Sequence, residues 1–153
     1  MNNPYQSPDS SVDDADFNYD GQKLYRISGI GLATFLGGVL AGGILLSQNF
    51  RKMGQIDYAN KALAISVAAF VVILVMIFAI PENYNPPSVV YTIAQTLAMV
   101  RIAKHYQQTK INIHEYNKRK FHSNWLALGI ALLVVAAIFV AAIVFSVATG
   151  VTV

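Results

Sequence analysis

The sequence predicts an all-α, polytopic transmembrane protein, and three observations predict it. Apolar residues make up 55% of the 153 and charged residues only 12%, about half the charged share of an ordinary soluble domain. The charges are confined to short stretches, leaving long runs that hold none. The basic residues gather between those runs rather than along them. A soluble bundle needs a polar face on each surface helix, and helices apolar all round would expose more apolar surface than a monomer tolerates in water. A chain of this length is one domain, which leaves no room for a separate soluble enzyme beside the membrane part.

Residues 1–22 come first and differ from the rest. Asp9, Asp13, Asp14, Asp16 and Asp20 stand there without a cation, among Asn, Ser and Pro, so a polar, disordered tail is expected. It lacks the basic start and short apolar run of a secretory signal, and the first span is expected to stay as an anchor. The membrane domain is then 23–153, with four spans expected at about 27–47, 62–80, 88–103 and 125–148.

Ile27–Ser47, Ala62–Ile80 and Trp125–Ala148 are each about 19 to 24 residues without a charge, where about 20 cross the hydrocarbon. The second of them holds about twelve Leu, Ile, Val and Phe, and at roughly −0.3 to −0.6 kcal/mol each its insertion is favoured by up to about 5 kcal/mol. Ser88–Ala103 is weaker, with about six such residues set against Thr92, Gln95, Thr96 and Arg101. It is either a fourth span that turns a polar stripe to its neighbours or a helix in the interface. Three spans plus an interfacial helix is therefore the alternative.

Lys and Arg near span ends are retained on the cytoplasmic side. Arg51, Lys52 and Lys61 follow the first span, Arg101, Lys104, Lys110, Lys118, Arg119 and Lys120 follow the third, and Pro81–Pro87 holds no cation. Four spans put both basic loops inside a bacterial inner membrane and the N-terminal tail, the Pro-rich turn and the C-terminus outside. Three spans with the N-terminus inside would strand Arg51, Lys52 and Lys61 outside, although Lys23 and Arg26 would be better placed.

In the first span Gly29, Ala33, Gly37 and Ala41 form one i, i+4 row, and Thr34, Gly38 and Gly42 the row beside it. Small side chains let helix backbones approach closely in lipid. Packing within the monomer is the first reading of this ridge and a homodimer seam the second. The run from Ala33 to Gly43, ATFLGGVLAGG, with Asn49 to Gly54 and the HSNW lead-in from His122 to Trp125, resembles an uncharacterised family of small bacterial integral membrane proteins. That resemblance implies a few-span inner-membrane protein and brings no activity, substrate or catalytic residue with it.

Chemistry is sparse. His105, His114, Glu115 and His122 do not have the i, i+4 spacing that sets two imidazoles on one helical face, and the lysines around them repel a cation. Ser123 adjoins His122, but neighbours in sequence make no catalytic triad. There is no Cys, hence no disulfide and no thiolate ligand. No span centre carries an ionisable residue, as ion or proton pathways ordinarily do. Neither catalysis, nor a metal or cofactor, nor a nucleic-acid partner is expected. The expected partners are the lipid bilayer, met by the basic loops at roughly 1 kcal/mol per Lys or Arg, and a second copy or another membrane protein. An interaction or assembly role is the expectation, and a small transporter or channel subunit is the alternative.

Overall fold

A computed structural model describes residues 22–81 and 87–150, so most of the acidic tail and of the Pro-rich connection lies outside the described residues. Four helices follow one another: α1 (Ile27–Lys52), α2 (Ile56–Ala79), α3 (Ser88–Tyr116) and α4 (Asn124–Thr149). The described residues form no strand, although one isolated parallel bridge pairs Leu24 with Phe121. By length and composition α1, the Ile56–Ile77 part of α2, and α4 can each cross a membrane. The protein is thus all-helical and membrane-embedded, and its composition fits three spans plus another helix.

The first element departs from the straight span expected at 27–47. Gly38 stands at φ 68°, ψ −170°, a conformation essentially confined to glycine, and the helix breaks there. Tyr25 and Asn49 would lie about 36 Å apart along a straight helix rising 1.5 Å per residue. Instead the Tyr25 N–H donates to Asn49 Oδ1 at 2.8 Å, and Asn49 Nδ2 donates to the Tyr25 carbonyl at 2.9 Å. Lys52 Nζ reaches the Lys23 carbonyl at 2.7 Å, and a Cβ on Gly42 would collide with Thr34. All these pairs centre on Gly37 and Gly38. The element is an antiparallel hairpin of two half-helices, residues 27–37 and 39–52, whose ends meet at one base.

The backbones of the other three helices come close to this hairpin and, among the described residues, not to one another, while the Tyr58 ring of α2 meets the Tyr106 ring of α3 at 6.3 Å. Gly43 meets Ser66 of α2 with no room for a side chain, so α2 runs antiparallel to the second arm. Along α3, Gln95, Met99 and Gln107 meet Val39, Gly42 and Leu46 in turn, so α3 runs parallel to that arm. Gly29 faces Asn124 and Ala127, and Gly37 faces Ala131, so α4 runs parallel to the first arm. At 1.5 Å per residue the second arm rises about 20 Å, whereas α2 and α4 rise about 36 to 39 Å from the same base. The hairpin therefore ends little more than halfway up. Beyond its tip the three helices continue with exposed apolar faces, among them Val72 and Val75 on α2 and Phe139, Val144 and Val147 on α4.

α3 also outruns its expected end near residue 103. Met99, Ala103, Gln107, Ile111 and His114 keep one helical face buried past that point, and Ile111 packs with Leu24 and Met53 below the hairpin. Arg101, Lys104 and Lys110 consequently ride on a helix, and the loop shrinks to 117–123. Both basal turns close in the same way. Gly54 and Gln55 donate to Arg51 and Phe50, and Lys118 and Arg119 donate to Glu115 and His114, the paired bonds of a helix-ending turn with a left-handed residue at its centre. Gly54 takes φ 71° and Lys118 takes φ 53°.

Candidate functional site

The base of the hairpin is held by a buried amide clasp. Asn49 and Gln107 have no solvent exposure, and buried amides must find partners. Besides gripping Tyr25, Asn49 Nδ2 donates to Gln107 Oε1 at 3.1 Å, and Gln107 Nε2 donates to the Leu46 carbonyl at 3.0 Å. Three segments distant in sequence are thereby tied at one level. A third amide serves the tip: Gln95 Oε1 accepts the Val39 N–H at 2.9 Å, satisfying the first donor after the break, which would be costly to leave unpaired away from water. None of these amides was singled out from the sequence as a clasp, because their partners are backbone groups brought close only by the fold-back.

Around the clasp lies a cationic end. Lys52 Nζ donates to His122 Nε2 at 2.7 Å; an ammonium only donates, so Nε2 is the unprotonated nitrogen. Burial, and then the charges of Lys52 and Lys23, push the His122 imidazole below its usual range. Its ring stacks on Tyr25 at 4.5 Å, while the His122 backbone N–H donates to the Leu24 carbonyl at 2.8 Å. Ser123 caps α4 by accepting the Trp125 N–H at 3.2 Å. The adjacent His122 and Ser123 are thus engaged with different groups. Beside them Lys23, Arg26, Arg119, Lys120, His122 and Asn124 line an open recess of about 450 Å³. His114 holds the Lys120 carbonyl at 3.0 Å, and His105 lies against Tyr106. Among the described residues no three His, Asp or Glu gather as a metal set.

A lateral groove of about 630 Å³ opens between α2 and α3, floored by Val39, Leu46 and Phe50 of the hairpin. Its walls carry small residues in helical register, Ala62, Ser66 and Ala69 on α2 and Ala94 and Ala98 on α3. Tyr58, Lys61 and Tyr106 stand at its basal mouth, where Lys61 lies 5.9 Å over the Tyr58 ring.

The small-residue ridge is redistributed by the fold-back. Ala33 and Ala41 are fully buried, Gly29 and Gly37 face α4, Gly42 faces Thr34 and Met99, and Gly38 forms the turn near Gln95. The two rows do not lie on one continuous face, because the helix they presuppose ends at Gly38. Among the expected basic residues, Lys52 joins the clasp end, Arg119 and Lys120 line the recess and Lys61 the groove mouth. Arg51 donates to Asn60 Oδ1 at 3.4 Å, Arg101 and Lys104 are exposed on α3, and Lys118 sits in the turn that ends it. Comparison of the chain with known protein families, curated proteins and solved structures finds no match.

Proposed function

We propose that this chain is an integral protein of the bacterial inner membrane that works in assembly, seating a transmembrane helix of a partner protein in the groove between α2 and α3. The observation that carries this reading is the groove's wall chemistry. Lipid tails fit any apolar surface, but between the larger Ile65 and Ile73 of α2 and Tyr91 and Ile102 of α3 these walls carry Ala62, Ser66, Ala69, Ala94 and Ala98, and small residues in register are what close helix packing in lipid requires. The backbones of α2 and α3 stand apart and the two helices meet at the basal mouth through the Tyr58 and Tyr106 rings, 6.3 Å apart, so a helix seated between them above that contact would complete a packed layer.

In this reading α2, α3 and α4 cross the bilayer and α1 enters from the basal side and returns to it. α3 must cross because it connects the far end of α2 to the base. Its modest hydropathy follows from Gln95 and Gln107, which are spent on the hairpin rather than on lipid. The arrangement also removes the conflict in the charge pattern: Lys23, Arg26, Arg51, Lys52 and the 118–120 cations share one end, as retention of cations on the cytoplasmic side requires. The segments that carry the family resemblance, 33–43 and 49–54, build the hairpin's arms, turn and clasp, and a shared hairpin is our account of that pattern.

The test is photocrosslinking in native membranes from a photoreactive residue at Ala69 or Ala98, with Phe139 as the lipid-facing control. A discrete protein adduct at the first two positions, lost when Ala94→Phe fills the groove, is expected. Adducts with lipid alone at all three positions would overturn the proposal, and an adduct of twice the chain's mass would replace the partner by a second copy. The transporter reading rests on the break at Gly38, since discontinuous helices build substrate sites in many transporters. Here the freed Val39 N–H is already taken by Gln95, and solute or ion flux in reconstituted vesicles is the result that would favour transport.

A further inference from the structure

We propose that the partner helix received by the groove carries a side-chain carboxamide, Asn or Gln, near the middle of the membrane, and that Gln95 pairs with it. This rests on the seating of a helix in that groove and adds the partner's chemistry. Gln95 Oε1 accepts the Val39 N–H at 2.9 Å, which fixes the orientation of the amide, because of its two ends only the oxygen accepts. The Nε2 amine is therefore the other end, and it has no acceptor among the described residues. Among those residues Gln55 Oε1 is the one buried side-chain nitrogen or oxygen without a partner. The Gln95 amine is thus not enclosed, and it is open to the groove that Gln95 lines.

Depth gives this amine its weight. Val39 is the first residue past the break at Gly38, and the hairpin tip stands about 20 Å above the base, little more than halfway along α2 and α4. With α2, α3 and α4 crossing, that level is the middle of the membrane, where no water satisfies a donor and an unpaired amide is costly. Val39, Ala94, Ala98 and Met99 line the groove beside it and bring no acceptor side chain. Ser66 spends its hydroxyl on the Ala62 carbonyl at 2.8 Å. The alanines let another backbone come close enough for side chains to pair. What Gln95 still offers is two N–H donors and one lone pair on its oxygen. Acyl chains use neither, a backbone carbonyl only accepts, and a hydroxyl donates and accepts through a single atom. A carboxamide presents both functions side by side, its oxygen accepting from Nε2 and its amine donating to Oε1.

The full-length chain is reconstituted in phosphatidylcholine vesicles with a synthetic probe, a Lys-flanked Leu–Ala helix of about 20 apolar residues. Association is read by energy transfer, at dilutions where the probe does not pair with itself. A probe with Asn at its centre should bind about three- to tenfold more tightly than the same helix with Leu there. Moved one turn toward either end, the Asn should lose that advantage. Gln95→Met should bind both central probes alike, and since this change also releases the Val39 N–H, retained binding of the Leu probe is its check that the groove is intact. If the variant fails that check, the depth series on the native chain decides. Equal binding of the Asn and Leu probes to the native chain would overturn the carboxamide pairing and leave the groove reading in place, and an Asn advantage that survives Gln95→Met would do the same. No binding of either probe, or binding that Ala94→Phe does not reduce, would overturn both.

Discussion

At the scale of single residues, the structure turns on a few side chains whose partners are backbone. Asn49 holds both backbone polar groups of Tyr25 and touches Gln107. Asn49→Leu keeps the volume but removes the partner of the Tyr25 N–H, of the Tyr25 carbonyl and of Gln107 Oε1, at about 1 to 3 kcal/mol for each group left unsatisfied. Thermal unfolding in detergent should register this loss, and Gln48→Leu, on the adjoining residue outside the clasp, should not. Gly38 poses a backbone problem instead: at φ 68°, ψ −170° any Cβ is strained, so Gly38→Ala should cost about 1 to 3 kcal/mol even though space remains around it. His122 supplies a pH dependence. Burial, then the charges of Lys52 and Lys23, lower its folded pKa below the ordinary 6.5, with Tyr25, Arg119 and Lys120 the other titratable neighbours. The unfolded chain then binds the proton more readily, so stability contributed by neutral His122 is complete above about pH 6.5 and falls as pH drops toward the lowered value. The melting temperature should decline between pH 7.5 and 5.5, and His122→Phe, which keeps the stack on Tyr25, should flatten that part of the decline.

At the scale of elements, the fold-back of α1 gives a topology that labelling can read. Because the chain has no Cys, single probes at Ser10, Asp57, Asn85 and Thr109 can be challenged with a membrane-impermeant thiol reagent in spheroplasts. Only Asn85 should label. Labelling of Ser10 as well would mean that α1 crosses, and labelling of Asp57 with protection of Ser10 would mean three crossings that begin with α1. The position of α4 was legible in the sequence to within one residue at either end and that of α2 to within six, since a run without charges is a local property of the chain. The fold-back was not legible. Gly37 sits in a row with Gly29, Ala33 and Ala41, and Gly38 in the row beside it with Thr34 and Gly42, which reads equally well as one packed helical ridge, and hydropathy is blind to direction. The signal lay in the charges: Lys23, Arg26, Arg51 and Lys52 bracket the apolar run on both sides, which a crossing helix tolerates poorly and a returning one requires. The extension of α3 was hidden for a related reason, because Gln107 and His114 look like solvent-facing loop residues until the base that buries them is built.

At the scale of the whole molecule, three long helices bring their backbones close to one short hairpin and, among the described residues, not to one another, with the Tyr58 and Tyr106 rings joining α2 to α3 beside it. Substitutions in the hairpin should therefore loosen the entire bundle, whereas equal changes beyond its tip should be nearly silent. Gly43→Leu, which drives a side chain into Ser66, should lower the melting temperature in detergent, and Val75→Leu should not. Retention in the membrane pellet through an alkaline carbonate wash should survive both, because insertion depends on apolar length rather than on packing. The hairpin that stops short has a geometric consequence of its own. Near the base the molecule's cross-section contains five helical segments, and past Gly38 it contains three. With about 10 Å for each helix diameter, the two extra segments add about 160 Å² to one leaflet and nothing to the other. The protein is then a wedge, and a wedge prefers a bilayer bent so that the leaflet at its wide end is stretched. In vesicles reconstituted with the base outward, its density should rise as vesicle diameter falls, while the opposite orientation should be depleted from the smallest vesicles.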